Sequence, residues 1–245
     1  MAEAITNAAE AQRALASLFE THEHAVFFGG AGVSTASGIP DFRSVDGLYN
    51  QKYKYPPETI ISHSFYMRDP EEFYRFYKDK MIYRDAKPNT AHKKLAELEA
   101  QGKLAAIVTQ NIDGLHQMAG SKNVIELHGS IHRNYCTKCH KFYDLDYIIQ
   151  SDGVPKCSCG GIIKPDVVLY EEGLNNDDIE NAIRYISEAD TLIIGGTSLV
   201  VYPAAGWVRY FRGKHLVVIN MSPTQTDGQA DLLIADKIGK VLGQL

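Results

Sequence analysis

Short continuous apolar runs alternate along the chain with stretches of helical spacing. Ala11, Leu15 and Leu18 recur at helical spacing within Asn7 to Glu20, and the run Ala25 to Phe28 then enters a glycine-rich turn at Gly29, Gly30 and Gly32. That order predicts helix, strand and phosphate-type loop. Asp69, Pro70 and Glu72 supply the cap, first-turn proline and N3 glutamate of a helix running to about Tyr83, its aromatics facing a core. A helix from about Asn89, with Leu95 and Leu98 on one face, ends at Gly102, and Leu104 to Thr109 follows as a β-type run. Later runs at Asp166 to Leu169, Thr191 to Gly195 and His215 to Ile219 alternate with helical stretches at about Asp177 to Glu188 and Pro203 to Phe211, which predicts an α/β fold with a parallel sheet. Between roughly Ile131 and Lys164 the rhythm breaks into cysteines, glycines and charges, with Phe142 to Ile149 as its small core. That segment reads as a metal-stapled insertion.

Composition narrows the class. A chain of 245 residues with 44% hydrophobic content can bury one large domain carrying a smaller inserted module. The formal net charge of −5 gives no general attraction to nucleic acid or anionic membrane, yet suits a lysine-rich partner. No stretch of 18 uninterrupted apolar residues occurs, and Met1 to Glu20 lacks the basic start and apolar block of a secretory signal, so a cytoplasmic protein is expected.

The four cysteines form two close pairs, Cys136-x-x-Cys139 and Cys157-x-Cys159, separated by seventeen residues. Four soft ligands at this spacing, without a secretory signal, predict one tetrahedral structural zinc rather than disulfides. The second pair is one residue shorter than the usual Cys-x-x-Cys, and Gly160 and Gly161 supply permissive backbone after it; His140 or His132 could substitute as a ligand. A closed four-thiolate site leaves no position for water or substrate, so the metal should hold the insertion together and stay chemically silent.

In Gly30-Ala31-Gly32-Val33-Ser34-Thr35 the first two glycines fit a dinucleotide-binding fingerprint, but Thr35 stands where the third should be. A hydride-transferring dehydrogenase would show its next strand soon after, with an acidic residue about twenty positions on. Here roughly seventy residues intervene before Leu104. His128 stands in a Leu-His-Gly turn, and an imidazole, whose unperturbed pKa lies near neutrality, suits general-base work there. Gln110, Asn111 and Asp113 follow the end of a predicted parallel strand, where ligands of open α/β sheets collect.

Reading on from the loop, the block Gly30 to Ser44, GAGVSTASGIPDFRS, closely resembles the signature of the sirtuin family. It is joined in the family's order by Thr109 to His116 (TQNIDGLH), Glu126 to Ser130 (ELHGS), Gly196 to Leu199 (GTSL) and Val218 to Asn220, so the resemblance covers about residues 20 to 240. It implies an NAD-dependent protein-lysine deacylase, deacetylase above all. The acyl-lysine carbonyl oxygen would attack the ribose carbon bearing nicotinamide, expelling nicotinamide and leaving an alkylamidate. Water would finally release lysine and an O-acyl-ADP-ribose.

The same resemblance assigns roles. His128 would deprotonate a ribose hydroxyl, Asn111 would orient ribose and water, and Asp113 with the Ile112 backbone would hold the nicotinamide carboxamide. Gly30, Ala31, Gly32, Thr35, Gln110, Thr197, Ser198, Asn220, Lys237 and Ile238 complete the expected NAD contacts, with Asp41, Phe42 and Arg43 on the segment covering the cofactor. The Val168 carbonyl would accept from the amide of an extended acyl-lysine peptide, and Tyr170 would flank the lysine stem. Glu171, where the family often has glycine, and Glu172 would favour basic residues flanking the lysine. Relatives that remove acidic acyl groups carry Tyr-x-x-Arg where this chain has Tyr77-x-x-Lys80, and lysine lacks the planar fork that grips a carboxylate, so uncharged acyl groups are expected.

The expected architecture is a Rossmann-like doubly wound parallel sheet formed by residues 1–46, 85–131 and 165–245, with a smaller lobe made of a helical module (47–84) and a zinc-binding module (132–164). Three rivals stand beside the deacylase. A protein ADP-ribosyltransferase would share the same NAD cleavage but leave label on protein. A catalytically silent zinc-ribbon scaffold or nucleic-acid-binding module gains slight support from Arg133, Lys138, Lys141, Lys156 and Lys164 outnumbering Asp144, Asp146 and Asp152, and is opposed by the presence of Gln110, Asn111, Asp113 and His128 together. An ordinary dehydrogenase is disfavoured by the missing third glycine.

Overall fold

The computed structural model describes residues 4–21, 24–42, 47–48 and 53–245. Nine strands are defined among them: β1 (Ala25–Gly29), β2 (Leu104–Thr109), β3 (Val124–Glu126), β4 (Gly129–Cys136), β5 (Phe142–Tyr143), β6 (Ile163–Val167), β7 (Thr191–Gly195), β8 (His215–Ile219) and β9 (Leu232–Ile234). The helices are α1 (Ala8–Thr21), α2 (Pro57–Ile60), α3 (His63–Arg68), α4 (Pro70–Lys80), α5 (Thr90–Ala100), α6 (Leu115–Ala119), α7 (Leu145–Gln150), α8 (Asn176–Glu188) and α9 (Ile238–Leu242).

Six strands form one sheet in the order β3-β2-β1-β7-β8-β9, all neighbours parallel. The chain winds outward from β1 in one direction, then returns to β7 and winds in the other, so the order reverses between β1 and β7. Crevices at such a reversal are where open α/β sheets bind ligands. Every residue of β1 and β7 is buried because helices cover both faces. Ala25 and Phe27 pack with Leu15 of α1, Leu95 of α5 and Val241 of α9. Val26 and Phe28 pack on the other face with Ala182 and Ile186 of α8 and with Trp207.

Helix starts follow the sequence chemistry. The Asp69 carboxylate accepts from Glu72 N with Pro70 in the first turn, and α4 ends at Lys80. Asn89 caps α5 by accepting from Ala91 N. The stretch after Pro203 is a 3₁₀ helix, Ala204–Tyr210, not an α-helix. The expected parallel strand at Asp166 to Leu169 is corrected: β6 runs Ile163–Val167 and lies antiparallel to β4 in a separate three-stranded sheet, order β5-β4-β6. Its exposure alternates along the strand, with Lys164 and Asp166 half-buried between buried Ile163, Pro165 and Val167. One covered face, not two, is the pattern of an antiparallel strand.

Between Ser130 (opposite Asp166) and Asn134 (opposite Pro165) the β4 register shifts, so Ile131, His132 and Arg133 bulge out of the ladder. The buried face of this small sheet shares one core with the aromatics of α3 and α4: Phe65, Phe73, Tyr74 and Tyr77 pack with Ile131, Tyr143, Ile148 and Ile163. Phe142, expected in that core, is half exposed. Among the described residues no helix is long and apolar enough to cross a membrane.

Candidate active site and zinc centre

The loops after β1, β2, β7 and β8 meet at the carboxyl edge of the large sheet. Gly32 N donates to Gly196 O at 2.8 Å, and a Cβ at Gly32 would sit 2.8 Å from the Gly196 backbone. A Cβ at Gly30 would lie 2.9 Å from Thr197 Cβ and 3.1 Å from Gln110 Oε1. The glycines therefore let the loops following β1 and β7 touch backbone to backbone, across the reversal point. Two short 3₁₀ turns, Ala31–Val33 and Thr35–Ser37, follow β1 in place of an α-helix. Thr35, at the missing third glycine, turns its hydroxyl onto Gly32 O at 3.1 Å.

Gln110 is fixed by Thr197, whose Oγ1 donates to Gln110 Oε1 at 2.9 Å, while Gln110 Nε2 is buried without a partner among the described residues. A buried donor left open at a glycine-lined crevice suits a polar ligand that supplies an acceptor. Asn111 and Asp113 are held by Ser34: Asn111 Nδ2 donates to Ser34 Oγ at 3.1 Å, and Ser34 Oγ donates to Asp113 Oδ2 at 2.6 Å. Asp113 Oδ1 accepts from Leu115 N at 2.9 Å, which turns the chain into α6. Behind Ser34 lies fully buried His92, its Nδ1 accepting from Asn89 N at 3.2 Å and its Nε2 3.5 Å from Ser34 Oγ. The Asn89 contact makes Nε2 the protonated nitrogen of the neutral ring. Burial pulls His92 down to about 4, so it is neutral near pH 7. Ser34 donates to Asp113 and accepts from Asn111, and so anchors both side chains.

His128 lies in the turn joining β3 to β4. Its Nδ1 is 3.0 Å from the carbonyl of Gln110, which can only accept, so Nδ1 carries the proton and Nε2 keeps its lone pair. Burial depresses its pKa, with the Gln110 contact opposing that shift, so the neutral ring is favoured near pH 7. The backbone ties the segment after β6 to it: Val168 N donates to His128 O at 3.0 Å.

Other expected contacts are placed as follows. Ser198 is exposed beside buried Thr197, and Asn220 leaves β8 with its N–H on Ile234 O. Lys237 caps α9 and is exposed, whereas Ile238 is buried with Cδ1 against Gly195, a packing position. Asp41 O accepts from Leu48 N at 2.9 Å, and Phe42 packs against the core of the small lobe. Arg43 lies outside the described residues. Tyr170 pairs through its backbone with Ile61 and His63. Both neighbouring carboxylates are committed within the chain: Glu171 accepts from Ser64 N and Oγ, and Glu172 from Lys164 Nζ, Leu169 N and His63. These bonds fix the two side chains, and Glu171, bonded to neutral groups only, keeps its negative charge at the surface. Lys80 Nζ is on Asp79 at 3.0 Å, and the Tyr77 hydroxyl is buried without a partner among the described residues.

The four cysteine sulfurs lie within 4.8 Å of one another and none is in a disulfide. Zn–S bonds of about 2.3 Å in a tetrahedron put sulfurs a little under 4 Å apart, so the cluster fits one zinc ion. Backbone N–H of Cys159 and the Tyr143 hydroxyl, which donates to Cys157 Sγ at 3.0 Å, bring the Cys157 thiol down to about 6, favouring the thiolate that binds metal. The tight Cys157-x-Cys159 turn closes with Gly160 N on Cys157 O. His132 instead meets the Asp113 carbonyl, and His140 is absent from the cluster.

The Sir2 family model matches residues 30–203, which takes in the glycine loop, the Gln110–Asp113 turn, His128 and all four cysteines. This chain belongs to the Sir2 family. The NAD-dependent protein deacetylase of Clostridium perfringens (strain 13 / Type A) is 65% identical over 235 residues, covering 94% of this chain and 96% of that protein. A solved Sir2 structure with a deacetylated p53 peptide and 3′-O-acetyl ADP-ribose superposes with a TM-score of 0.87 at 40% identity, covering 95% of this chain and 96% of that one. A Sir2 structure with a p53 peptide and NAD+ gives 0.83 at 41% identity, covering 94% and 95%.

Within this Sir2 protein, Ser34 and His92 were the polar residues that motif reading passed over. Ser34 stood inside the glycine block without a role. His92 is three positions after the Asn89 cap, where a side chain returning to the cap N–H is a recognisable signal.

Proposed function

We infer that this chain is an NAD-dependent protein-lysine deacetylase that converts NAD and acetyl-lysine to nicotinamide, O-acetyl-ADP-ribose and free lysine. The observation that carries the mechanism is the His128 tautomer: Nδ1–H is spent on the Gln110 carbonyl, leaving Nε2 as a neutral base at the carboxyl edge of the NAD-type sheet. NAD, when bound, supplies the electrophilic ribose carbon and nicotinamide as leaving group. His128 Nε2 takes the proton of a ribose hydroxyl, and Asn111, fixed by Ser34, orients ribose and water. Asp113, also fixed by Ser34, and the Ile112 backbone hold the carboxamide. Gln110 Nε2, Gly30, Ala31, Gly32, Thr35, Thr197, Ser198, Asn220, Lys237 and Ile238 line or support the cofactor cleft, with Asp41 and Phe42 on its cover.

The acetyl-lysine peptide lies along Val168 and Tyr170, where the Val168 carbonyl accepts no hydrogen bond among the described residues and is available to a peptide N–H. Neutralisation of Lys80 by Asp79 favours uncharged acyl groups, which a turnover comparison of acetyl and succinyl forms of one peptide checks. The division into a Rossmann-type unit of 1–46, 85–131 and 165–245 with insertions 47–84 and 132–164 belongs to the same reading.

Mass spectrometry of an acetyl-lysine peptide incubated with NAD tests it. Deacetylation should match nicotinamide and O-acetyl-ADP-ribose mole for mole, and His128→Ala should lower turnover by about 10²–10⁴-fold. Adenine-half label retained on protein would move the reading to an ADP-ribosyltransferase.

A further inference from the structure

Arg133 sits in the β4 bulge, three residues before Cys136. Its Nη1 donates to Glu126 Oε2 at 2.6 Å and its Nε to Asp166 Oδ2 at 2.8 Å. Glu126 is the last residue of β3 on the edge of the large sheet, 8% exposed, and stands two residues before His128. Asp166 is on β6 of the small sheet, two residues before Val168, whose N–H holds the His128 carbonyl. One guanidinium therefore ties the NAD sheet to the substrate strand on either side of the His128 turn. The turn itself has little slack: Gly129 has φ +76° and comes so close to the Asp166 carbonyl that a Cβ would lie 1.9 Å from it.

The rest of the bulge reaches the other half of the site. Ile131 N donates to Ile112 O at 3.0 Å, and His132 Nε2 is 3.0 Å from Asp113 O, packed so closely over Gly114 that a Cβ there would lie 2.7 Å from the ring. A regular β4 would place none of these three residues across the gap. The extra length serves two contacts of different consequence, one with the nicotinamide-side turn and one with the His128 turn.

We propose that Arg133 is a positioning residue for His128, clamping Glu126 to Asp166 so that the general base is held against ribose and peptide, and that His132 positions the Asp113 turn. The proposal rests on the deacetylase reading. In that reaction the acyl oxygen–ribose bond forms as the ribose–nicotinamide bond breaks, and added nicotinamide reverses this before His128 removes its proton. Exchange of labelled nicotinamide into NAD thus reports the steps before His128, and free-lysine formation reports the step through it.

Both rates are measured on the full-length, zinc-loaded protein with an acetyl-lysine peptide. Arg133→Met lowers deacetylation about tenfold while exchange stays within about twofold, and Arg133→Lys restores most of the loss. Asp166→Asn, which keeps the pair with Glu126, gives the same change of ratio at about threefold and serves if Arg133→Met does not fold. His132→Ala lowers both rates together, because nicotinamide expulsion precedes both. Equal loss of both rates in Arg133→Met and Asp166→Asn, or no loss in either, overturns the clamp. Absence of both rates in the parent protein overturns the deacetylase reading itself, and the clamp with it.

Discussion

Strand β1 of the large sheet buries all five of its residues, whereas β6 of the small sheet alternates buried and half-buried positions along its length. The large sheet is insulated by hydrocarbon on both faces, with α1, α5 and α9 on one side and α8 with Trp207 on the other. The small sheet covers one face with the aromatics of α3 and α4, and its remaining closure falls to the four cysteines at one end. Cys136 and Cys157 are at once metal-site sulfurs and members of that core. One lobe is stabilised by area and the other by a point constraint, so they should fail differently.

The largest expected effect follows from that difference. Structural zinc contributes on the order of 10–16 kcal/mol in small zinc modules at neutral pH. Cys136→Ser or Cys157→Ser should abolish stoichiometric zinc and collapse the near-ultraviolet signal of the tyrosines, because Tyr74 reaches across to the Ile163 carbonyl and Tyr143 to Cys157. The far-ultraviolet helix signal, carried mainly by α1, α5 and α8, should persist. Intact tyrosine packing in a zinc-free variant would mean that the aromatic core suffices, and the contrast between the lobes would fall.

Acid should strike the large lobe first through its histidines. His92 and His116 are fully buried with rings 4.8 Å apart, and neither nitrogen of His116 has a partner among the described residues. Burial lowers His92 to about 4 and His116 to about 3. The unfolded chain binds these protons near pH 6.5 and the folded chain does not, so the stability is fully present above pH 6.5 and is lost as pH falls toward 4 and then 3. At about 1.4 kcal/mol per unit, the two together remove several kcal/mol. Urea melts between pH 7 and 4.5 should show this slope, and His116→Leu should flatten it; an unchanged slope would place the acid sensitivity elsewhere.

Where the lobes join, a single methyl group should be felt. Gly129→Ala combines a left-handed residue with a Cβ 1.9 Å from the Asp166 carbonyl, which should cost about 2–4 kcal/mol and displace His128. Denaturant midpoints and turnover of the same preparation would test both halves, and a stable, active variant would show that the junction can yield.

The same difference explains what the sequence made legible. Two-sided burial writes itself as unbroken runs, and Ala25 to Phe28, Leu104 to Thr109, Thr191 to Gly195 and His215 to Ile219 all became strands of the parallel sheet. The run at Asp166 to Leu169 reads alike, but only Asp166 and Val167 are in a strand, and that strand belongs to the antiparallel sheet, because four residues of local pattern do not encode the partner. Edge strands β3 and β9 have three residues each, too few for a period. In the site, Gln110, Asn111, Asp113 and the cysteine pairs were readable because their chemistry is contiguous in sequence. The Ser34 anchor joins residues 58 and 79 positions away, and the Arg133 clamp depends on a bulge, neither of which leaves a local trace.

The smallest expected effect tests whether the small lobe tolerates strain where the large one does not. Glu171 has φ +76°, a conformation that costs a side-chain-bearing residue about 1–2 kcal/mol, yet its carboxylate accepts from Ser64 N at 2.8 Å and Ser64 Oγ at 2.9 Å. Hydrogen bonds to a charged group at an exposed position offset a similar amount. Glu171→Ala keeps the strain and loses both bonds, so it should destabilise by about 1–2 kcal/mol. Glu171→Gly loses the bonds and the strain together and should stay within about 1 kcal/mol of the parent. The gap between the two variants, read from urea midpoints at fixed zinc content, isolates the backbone contribution. Equal midpoints would show that loop 169–172 relaxes once Ser64 is released, and that the small lobe's rigidity there comes from the side-chain clasp rather than from the backbone.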